Sequence, residues 1–251
     1  MAVERTKSVR KPKPRYITTD GEWVPGVTTV IGLRAKDALV PWAFKIGKEN
    51  PELSSIREYV DELASIGSAA HEIIGAHLLG ADPDLRDFTP ATVEAAAIPV
   101  SKYREWAKGK DIQIIASEKQ YVSDRFRFGG TVDVLAKIDG VTTILDFKTG
   151  KAIYDEMFYQ VAAYAELVAE TGLRVDAIRI LQIGRTGAEG FTERVMTDWS
   201  LEWEWFKAMR AVYQVEMDLK LDSRKNVIPI TDGKLKRQLR DSIDALAREV
   251  K

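Results

Sequence analysis

The chain has 251 residues, 45% of them hydrophobic and 30% charged, so it can bury a core as one large domain or two small ones. Its net charge of −1 argues against a uniformly basic nucleic-acid-binding protein, and the absence of cysteine excludes disulfides, thiolate zinc sites and iron–sulfur clusters. No apolar run is long enough to cross a bilayer and no signal peptide is recognisable, which predicts a cytoplasmic protein without a membrane partner.

The N-terminal residues 1–15 carry six basic side chains against one acidic side chain, and two prolines discourage regular structure there. Two interpretations remain open for this basic segment: a flexible, solvated tail, or an arm that contacts phosphates. The next segment, Tyr16 to Val24, is predicted to be a short hairpin with Asp20-Gly21 at its turn.

The hydrophobic spacing that follows the hairpin is helical as far as residue 110. Three helical segments are predicted there: Val27 to Lys48 as two short helices interrupted near Gly32 and Pro41, Ser54 to Leu79 capped by Ser54 or Ser55, and Pro90 to Lys110 with a break at Pro99.

Strand patterns dominate the next part of the chain. Five strands are predicted, in the order Ile112 to Val122, Phe126 to Ile138, Val141 to Phe147, Arg174 to Ile183 and Gly190 to Met196. Helical spacing returns at Tyr154 to Glu170, Trp199 to Leu219 and Gly233 to Val250. The spacing of Trp199, Trp203 and Phe206 predicts a core stripe rather than a base-stacking platform.

This order predicts an α/β fold with a mixed central sheet flanked by helices, a helical N-terminal region and C-terminal helices. We expect a basic flexible tail over residues 1–15 and a single domain over residues 16–222. Within that domain, residues 27–110 form the helical region and residues 111–197 the core. Residues 223–251 are expected to form a linker and a C-terminal helix.

The dipeptide Asp139-Gly140 separates two apolar strands and favours a two-residue type I′ turn, because both positions need positive φ. Such a turn pairs Ile138 with Val141. Counting back along both strands, it places Asp133 opposite Asp146. Opposed residues point to the same face of a sheet, so the two carboxylates are expected to lie close together.

Lys148 shares that face, because it lies two residues after Asp146 on one strand. Two opposed carboxylates are destabilising unless a cation neutralises them, and either Lys148 or a hard divalent cation can do so. An exposed, charged sheet face is the alternative. Leu135 and Ile144 oppose each other on the same face and argue against it.

At these residues the sequence resembles the PD-(D/E)XK nuclease superfamily, and specifically its RecB-like branch. Five elements in order carry the resemblance: Gly67-Ser68-Ala69-Ala70-His71, Glu118, Gly130-Thr131-Val132-Asp133, Asp146-Phe147-Lys148-Thr149-Gly150 and Gln160-Val161-Ala162-Ala163-Tyr164. A weaker likeness, at residues 27–30 and 38–42, extends to phage-encoded exonucleases and to the mitochondrial genome-maintenance exonuclease.

The resemblance implies a role for each of these residues. Asp133, Asp146 and the main-chain carbonyl of Phe147 are expected to bind the metal ion, and His71 to bind it or to orient a ligand. The implied cofactor is Mg²⁺, for which Mn²⁺ can substitute at a site that contains histidine. Lys148 is expected to orient the attacking water and stabilise the developing charge.

Three further residues keep two interpretations each. Glu118 binds a second metal ion or is an exposed strand residue. Gln160 and Tyr164 lie one helical turn apart on the same face. In the functional interpretation they hydrogen-bond DNA or support Lys148, and in the other they pack as an ordinary interface.

The implied activity is a metal-dependent DNA exonuclease acting on single strands or duplex ends, in recombination, repair or genome processing of a phage or prokaryote. DNA is the expected partner, together with recombination or replication proteins. Endonucleases and junction resolvases share the same core and remain alternatives. Two further alternatives are a non-catalytic nucleic-acid-binding module and a structural protein whose acidic cluster is a surface feature. A digestion assay and a metal-dependent thermal shift distinguish these possibilities.

Overall fold

Helices and strands follow each other largely as the hydrophobic spacing predicts. The structure is a computed structural model that describes residues 14–34 and 38–226, with residues 237, 238, 240 and 241. The elements are β1 (Tyr16–Ile17), β2 (Trp23–Val24), α1 (Val27–Ile31), α2 (Leu39–Glu49), α3 (Ile56–Leu79), α4 (Pro90–Ala107), β3 (Ile112–Ser123), β4 (Phe128–Ile138), β5 (Val141–Thr149), α5 (Asp155–Ala169), β6 (Ala177–Ile183), β7 (Phe191–Met196) and α6 (Ser200–Asn226).

Two segments singled out by the sequence fall largely outside this description. Of the basic segment 1–15, only residues 14 and 15 are described. Of the predicted C-terminal helix, Gly233 to Val250, only positions 237, 238, 240 and 241 are described, and these are helical. The chain divides into two compact units, residues 1–210 and residues 211–251.

Two predicted helix breaks are wrong. Helix α2 runs through Pro41, which is its third residue, and the first N–H groups of a helix have no acceptor within it. Helix α4 runs through Pro99, where the ring removes one interior hydrogen bond. Pro99 is buried, and α4 packs along α3, so the buried face holds the helix together despite the lost bond.

The predicted start of α3 is confirmed at its cap. Ser55 has an extended backbone, and its side chain accepts a hydrogen bond from the Glu58 N–H in the first turn. The other end closes at Gly80, whose positive φ of 64° is easily adopted by glycine. These two ends fix a helix of 24 residues that carries His71 past the sheet.

A five-stranded mixed sheet forms the centre, in the order β3-β4-β5-β6-β7. Strands β5 and β6 are parallel, joined by α5, and the other neighbours are antiparallel. Helices α3 and α4 cover one face around Leu145, Phe147 and Leu181. Residues of the opposite parity, such as Leu135 and Ile144, are equally buried, and α5 packs on the sheet there. The predicted α/β fold is confirmed.

Two residues of the predicted aromatic stripe, Trp203 and Phe206, are part of the core, whereas Trp199 is half-buried. Trp203 and Phe206 are buried and pack against Phe126 and Phe128 at the start of β4. In the second unit, the described part of α6 exposes the apolar side chains Val212, Val215, Leu219 and Leu221. No helix in the described part of the chain is long and apolar enough to cross a membrane.

Lys102 of α4 forms hydrogen bonds with the loop between β6 and β7. Its ammonium donates to the main-chain oxygens of Gly184 (3.2 Å), Thr186 (2.9 Å) and Glu189. Three N–H donors therefore meet three carbonyls of one loop. The same loop accepts a hydrogen bond from Gln182, which also donates to Gly150, two residues after Lys148.

Lys102→Met is expected to lower the free energy of unfolding by about 1–3 kcal/mol, because the loop carbonyls lose their donor. Urea denaturation monitored by circular dichroism measures the change. Lys108→Met is the matched control, because Lys108 is exposed and its ion pair in the described part of the chain is with the exposed Glu105. Equal stability of the two variants would show that the Lys102 contacts do not stabilise the loop.

Candidate active site

The hairpin of β4 and β5 has the register that its turn predicts. Asp139 and Gly140 have φ values of 51° and 84°, as a type I′ turn requires. The paired residues run from Ile138 and Val141 at the turn to Val134 and Leu145. The predicted register is therefore confirmed over five residue pairs.

The predicted pairing of Asp133 with Asp146 is not part of this ladder, which ends one residue earlier. Instead, the Asp133 carboxylate enters the gap between the strands, where its Oδ2 accepts a hydrogen bond from the Phe147 N–H at 3.2 Å. A main-chain donor of β5 is thus satisfied by an acidic side chain of β4. The two strands separate at the point where the acidic residues lie.

Asp146 is completely buried beside Lys148, with 2.6 Å between Asp146 Oδ2 and Lys148 Nζ. Neither carboxylate oxygen has a hydrogen-bond partner of good geometry among the residues that the structure describes. Burial raises the pKa of Asp146 to about 6, although Lys148 lowers it. Burial lowers the pKa of Lys148, but Asp146 and Asp133 more than offset this and leave it raised. The Asp146 carboxylate is therefore buried beside the Lys148 ammonium with its capacity to accept hydrogen bonds unmet among the described residues.

His71, Glu118 and Asp133 offer one ligand atom each within 4.8 Å of one another. His71 projects from α3, and its Nδ1 lies 3.7 Å from Asp133 Oδ2. Glu118 lies on β3 with a φ of 49°, a conformation uncommon for residues other than glycine and enriched at functional sites. One helix and two strands thus supply this cluster, which brings together residues far apart in sequence.

The ring of Phe147 on β5 packs against residues of α3 and α4. Its ring contacts the His71 ring edge-on, with centroids 5.7 Å apart, and contacts Tyr103 in the same way at 5.6 Å. A cavity of about 660 Å³ opens between α3 and the sheet, and His71, Glu118, Phe147 and Lys148 line it. The other lining residues include five small residues of α3 and two further acidic residues: Ala64, Gly67, Ser68, Gly75, Ala76, Glu72 and Asp82.

Gln160 and Tyr164 of α5 form a pair on the other side of the site. Gln160 Nε2 donates to Tyr164 Oη at 2.7 Å, and Tyr164 is only 5% exposed. Burial raises the pKa of Tyr164 well above its usual value, and the neighbouring charge of Asp146 adds to this. The Tyr164 phenol therefore stays protonated close to the acidic residues and can donate a hydrogen bond.

The Tyr164 ring packs directly on Gly130 of β4. A β-carbon at Gly130 would lie 2.6 Å from Tyr164 Cε1 and 3.1 Å from a methyl carbon of Leu167. Only glycine allows this approach. The first glycine of the Gly-x-x-Asp element thus has a steric reason, independent of any role in catalysis.

Gly130→Ala is expected to cost about 1–3 kcal/mol of stability, because the buried Tyr164 ring cannot move away from the added methyl group. Thermal denaturation measures it. Gly47→Ala in α2 is the control, since nothing lies within 4 Å of its β-carbon position and alanine favours helix. We expect that control to match or exceed the stability of the parent protein. An equally stable Gly130→Ala variant would contradict the packing described.

Tyr16 is a neighbour of the site that the sequence did not indicate. Its hydroxyl lies 3.0 Å from Thr131 Oγ1, two residues before Asp133. The contact joins residues separated by 115 positions, so no local pattern could have indicated it. The nearest sequence signal was the predicted hairpin that contains Tyr16, which the structure confirms as β1 and β2.

The donor set fits a divalent cation. Carboxylate oxygens suit Mg²⁺, and the imidazole of His71 makes Mn²⁺ a good substitute. The buried, unpartnered Oδ1 of Asp146 is the independent observation, since a buried carboxylate oxygen without a donor is costly unless a cation approaches it. His71, Glu118 and Asp133 form the cluster of possible ligand atoms. Asp146 is not part of that cluster, but the charges of Asp133 and His71 act on its pKa.

The fold is α/β, and its mixed sheet carries Asp133, Asp146 and Lys148 while α3 carries His71. This combination is of the nuclease type. The chain belongs to the PD-(D/E)XK nuclease superfamily, whose family model matches residues 42–250. Members of this superfamily use divalent metal ions, and membership implies a nucleic-acid substrate. The predicted family is therefore confirmed.

Two solved structures are similar to the chain in fold. The crystal structure of LHK-Exo in complex with dAMP is 12% identical, with a TM-score of 0.38, over 65% of this chain and 90% of that one. The crystal structure of SSO0001 is 9% identical, with a TM-score of 0.31, over 60% of this chain and 74% of that one. Both likenesses are too distant to carry an argument about substrate. Comparison with curated proteins gave no match.

Proposed function

We propose that this protein is a metal-dependent DNA exonuclease of the RecB-like branch. The observation that supports it most is the joint placement of two groups. The ligand atoms of His71, Glu118 and Asp133 lie within 4.8 Å of one another. His71 and Glu118 line a cavity that is also lined by Lys148, which is paired with the buried Asp146. Metal-assisted phosphodiester hydrolysis uses a cation site of this kind, and a positioned donor beside it can stabilise the developing charge.

In this proposal, His71, Asp133, Asp146 and the main-chain carbonyl of Phe147 hold Mg²⁺ or Mn²⁺. A bound divalent cation supplies Lewis-acid stabilisation of the charge that develops on the scissile phosphate. Glu118 lies in the same cluster and is placed to bind a second cation, directly or through water.

Lys148 keeps its proton at Nζ, because the adjacent carboxylate of Asp146 favours the ammonium form. The ammonium can donate hydrogen bonds to the attacking water and to the phosphate oxygens, which orients the first and stabilises charge on the second. Asp146 directs this ammonium, since Lys148 is 20% exposed and faces the cavity while Asp146 is buried behind it.

Gln160 and Tyr164 support the acidic residues from α5. Tyr164 fills the space over Gly130, and Gln160 holds its hydroxyl. We propose that this pair fixes the catalytic strands and excludes water from Asp146. A direct contact between Gln160 and DNA is compatible with its partial exposure.

We further propose that the nuclease domain covers residues 16–222, most of which lies within the family match over residues 42–250. The likeness to phage-encoded exonucleases supports a role in recombination, repair or genome processing, with recombination or replication proteins as partners. The absence of cysteine is consistent with a reducing cytoplasm.

A digestion assay tests the proposal. End-labelled linear single-stranded and double-stranded DNA, and a closed circle, are incubated with Mg²⁺, Mn²⁺ or EDTA. We expect metal-dependent loss of linear DNA and an intact circle. Cutting of the circle would instead identify an endonuclease, the alternative on the same core. No cleavage of any substrate with either metal would overturn the catalytic proposal and favour a nucleic-acid-binding module.

A further inference from the structure

Tyr16 joins the N-terminal hairpin to the strand that carries Asp133. Its side chain is 7% exposed, and its hydroxyl lies 3.0 Å from Thr131 Oγ1 on β4. Thr131 is two residues before Asp133 on the same strand. The contact therefore reaches the proposed catalytic strand from an element that carries none of the nuclease motifs.

Two glycines are shaped to receive the Tyr16 ring. A β-carbon at Gly129 would lie 2.6 Å from Tyr16 Cβ, and one at Gly26 would lie 2.8 Å from Tyr16 Cε2. The Gly129 N–H donates to the Pro25 oxygen at 3.0 Å, and Gly26 and Gly129 form an isolated parallel bridge. The segment from Tyr16 to Gly26 is thus built directly onto the backbone of β4.

This attachment lies where β4 has lost its partner on one side. Strands β4 and β5 pair only as far as Val134 and Leu145, so residues 128–133 have no β5 partner in the ladder. On the other side, β3 still pairs with most of this stretch. The N-terminal segment pairs with this open edge at Gly129, four residues before Asp133, whose carboxylate accepts from the Phe147 N–H.

We propose that Tyr16 is a positioning residue for Asp133, acting through its hydrogen bond to Thr131 and its packing on Gly129. The proposal rests on the proposed function, because it takes Asp133 as a metal ligand. A strand edge without a ladder partner is free to shift, and a metal ligand must be held within a fraction of an ångström. The Tyr16 hydroxyl fixes the edge two residues from that ligand.

The test uses the full chain and substitutions that each remove one hydroxyl group. Tyr16→Phe removes only the hydroxyl, and Thr131→Val removes its partner. Thr19→Val is the matched control, because Thr19 belongs to the same hairpin and its hydroxyl bonds to Asp124, at the turn between β3 and β4. Each variant is titrated with Mn²⁺, and two readouts are followed: the metal-induced shift in melting temperature, and the metal concentration that gives half-maximal cleavage.

We expect Tyr16→Phe and Thr131→Val to weaken Mn²⁺ binding by about three- to tenfold in both readouts, the size of one lost hydrogen bond. The double variant should be no weaker than either single variant, because both remove the same interaction. The KM for DNA should be unchanged. Thr19→Val should lower the melting temperature without moving the Mn²⁺ midpoint.

Two outcomes separate this inference from the proposed function. If the unmodified protein neither cleaves DNA nor gains stability from Mn²⁺, the proposed function fails. If it does both, but Tyr16→Phe keeps the same Mn²⁺ midpoint as Thr19→Val, then Tyr16 is merely structural and the inference alone is overturned. Additive effects in the double variant would also overturn it, since they would place the two hydroxyls in separate interactions.

Discussion

Asp146→Ala is expected to reduce metal-dependent DNA cleavage by a factor on the order of 10³. The substitution removes a ligand of the proposed cation and, at the same time, the carboxylate that directs Lys148. Asp133 remains as a proposed ligand in this variant, but it does not supply the carboxylate that lies 2.6 Å from Lys148 Nζ. Single-turnover digestion of labelled linear DNA at saturating Mg²⁺ measures the loss.

Two further variants make this result specific. Asp146→Asn keeps the shape of the side chain but cannot carry charge, so it should be as inactive as Asp146→Ala while remaining folded. Asp111→Ala is the matched control, because Asp111 is exposed and lies beside the Asp139 turn, at the other end of the hairpin. Full activity of Asp146→Asn would show that the carboxylate charge is not used.

Lys148→Met is expected to have the second largest effect, and it acts on both rate and stability. Loss of the ammonium should lower the cleavage rate by about 10²–10³-fold, because the positioned donor is gone. It also leaves the Asp146 carboxylate buried without a counter-ion, which typically costs about 3–5 kcal/mol. Chemical denaturation in EDTA measures the stability change.

The pH dependence of that stability loss follows from the pKa of Asp146. Burial raises this pKa to about 6, above the ordinary value of 3.8, and removal of Lys148 takes away a group that lowers it. A carboxyl whose folded pKa is raised favours folding at low pH and loses that contribution as the pH rises through the folded value. The deficit of Lys148→Met should therefore be large at about pH 8 and small at about pH 4.

The stability gained from bound metal should differ between Lys148→Met and Asp146→Ala. Lys148→Met keeps every proposed ligand, so Mg²⁺ or Mn²⁺ should restore much of its stability by binding the folded state. Asp146→Ala lacks a ligand and should gain little. The same metal response in both variants would contradict the division of roles between ligand and donor.

The sequence was sufficient for the hairpin at the centre of the site. Asp139-Gly140 forces a turn with positive φ at two adjacent positions, and this fixes the register of β4 and β5. That register is a local property, set by hydrogen bonds between neighbouring residues. Asp133 and Asp146 were therefore predicted to be close, and Lys148 to share a face with Asp146, before any packing was known.

The two wrong predictions, helix breaks at Pro41 and Pro99, relied on local signals that the surrounding structure overrides. Pro41 and Pro99 are local helix breakers, yet α2 and α4 continue through them. At Pro41 the position within the first turn makes the missing N–H harmless. At Pro99 burial against other elements outweighs one lost hydrogen bond, and a sequence pattern carries no measure of that burial.

The sequence by itself determined the family, the α/β order of elements and the hairpin that brings two aspartates together, because motif spacing and turn geometry are local. Only the tertiary structure decided that Asp146 is fully buried, that His71 of α3 lies beside Asp133, and that Tyr16 forms a hydrogen bond with Thr131, 115 residues away. Those contacts depend on how helices pack on the sheet. Packing is set by the sum of many weak long-range contacts, which leave no periodic signal in the chain.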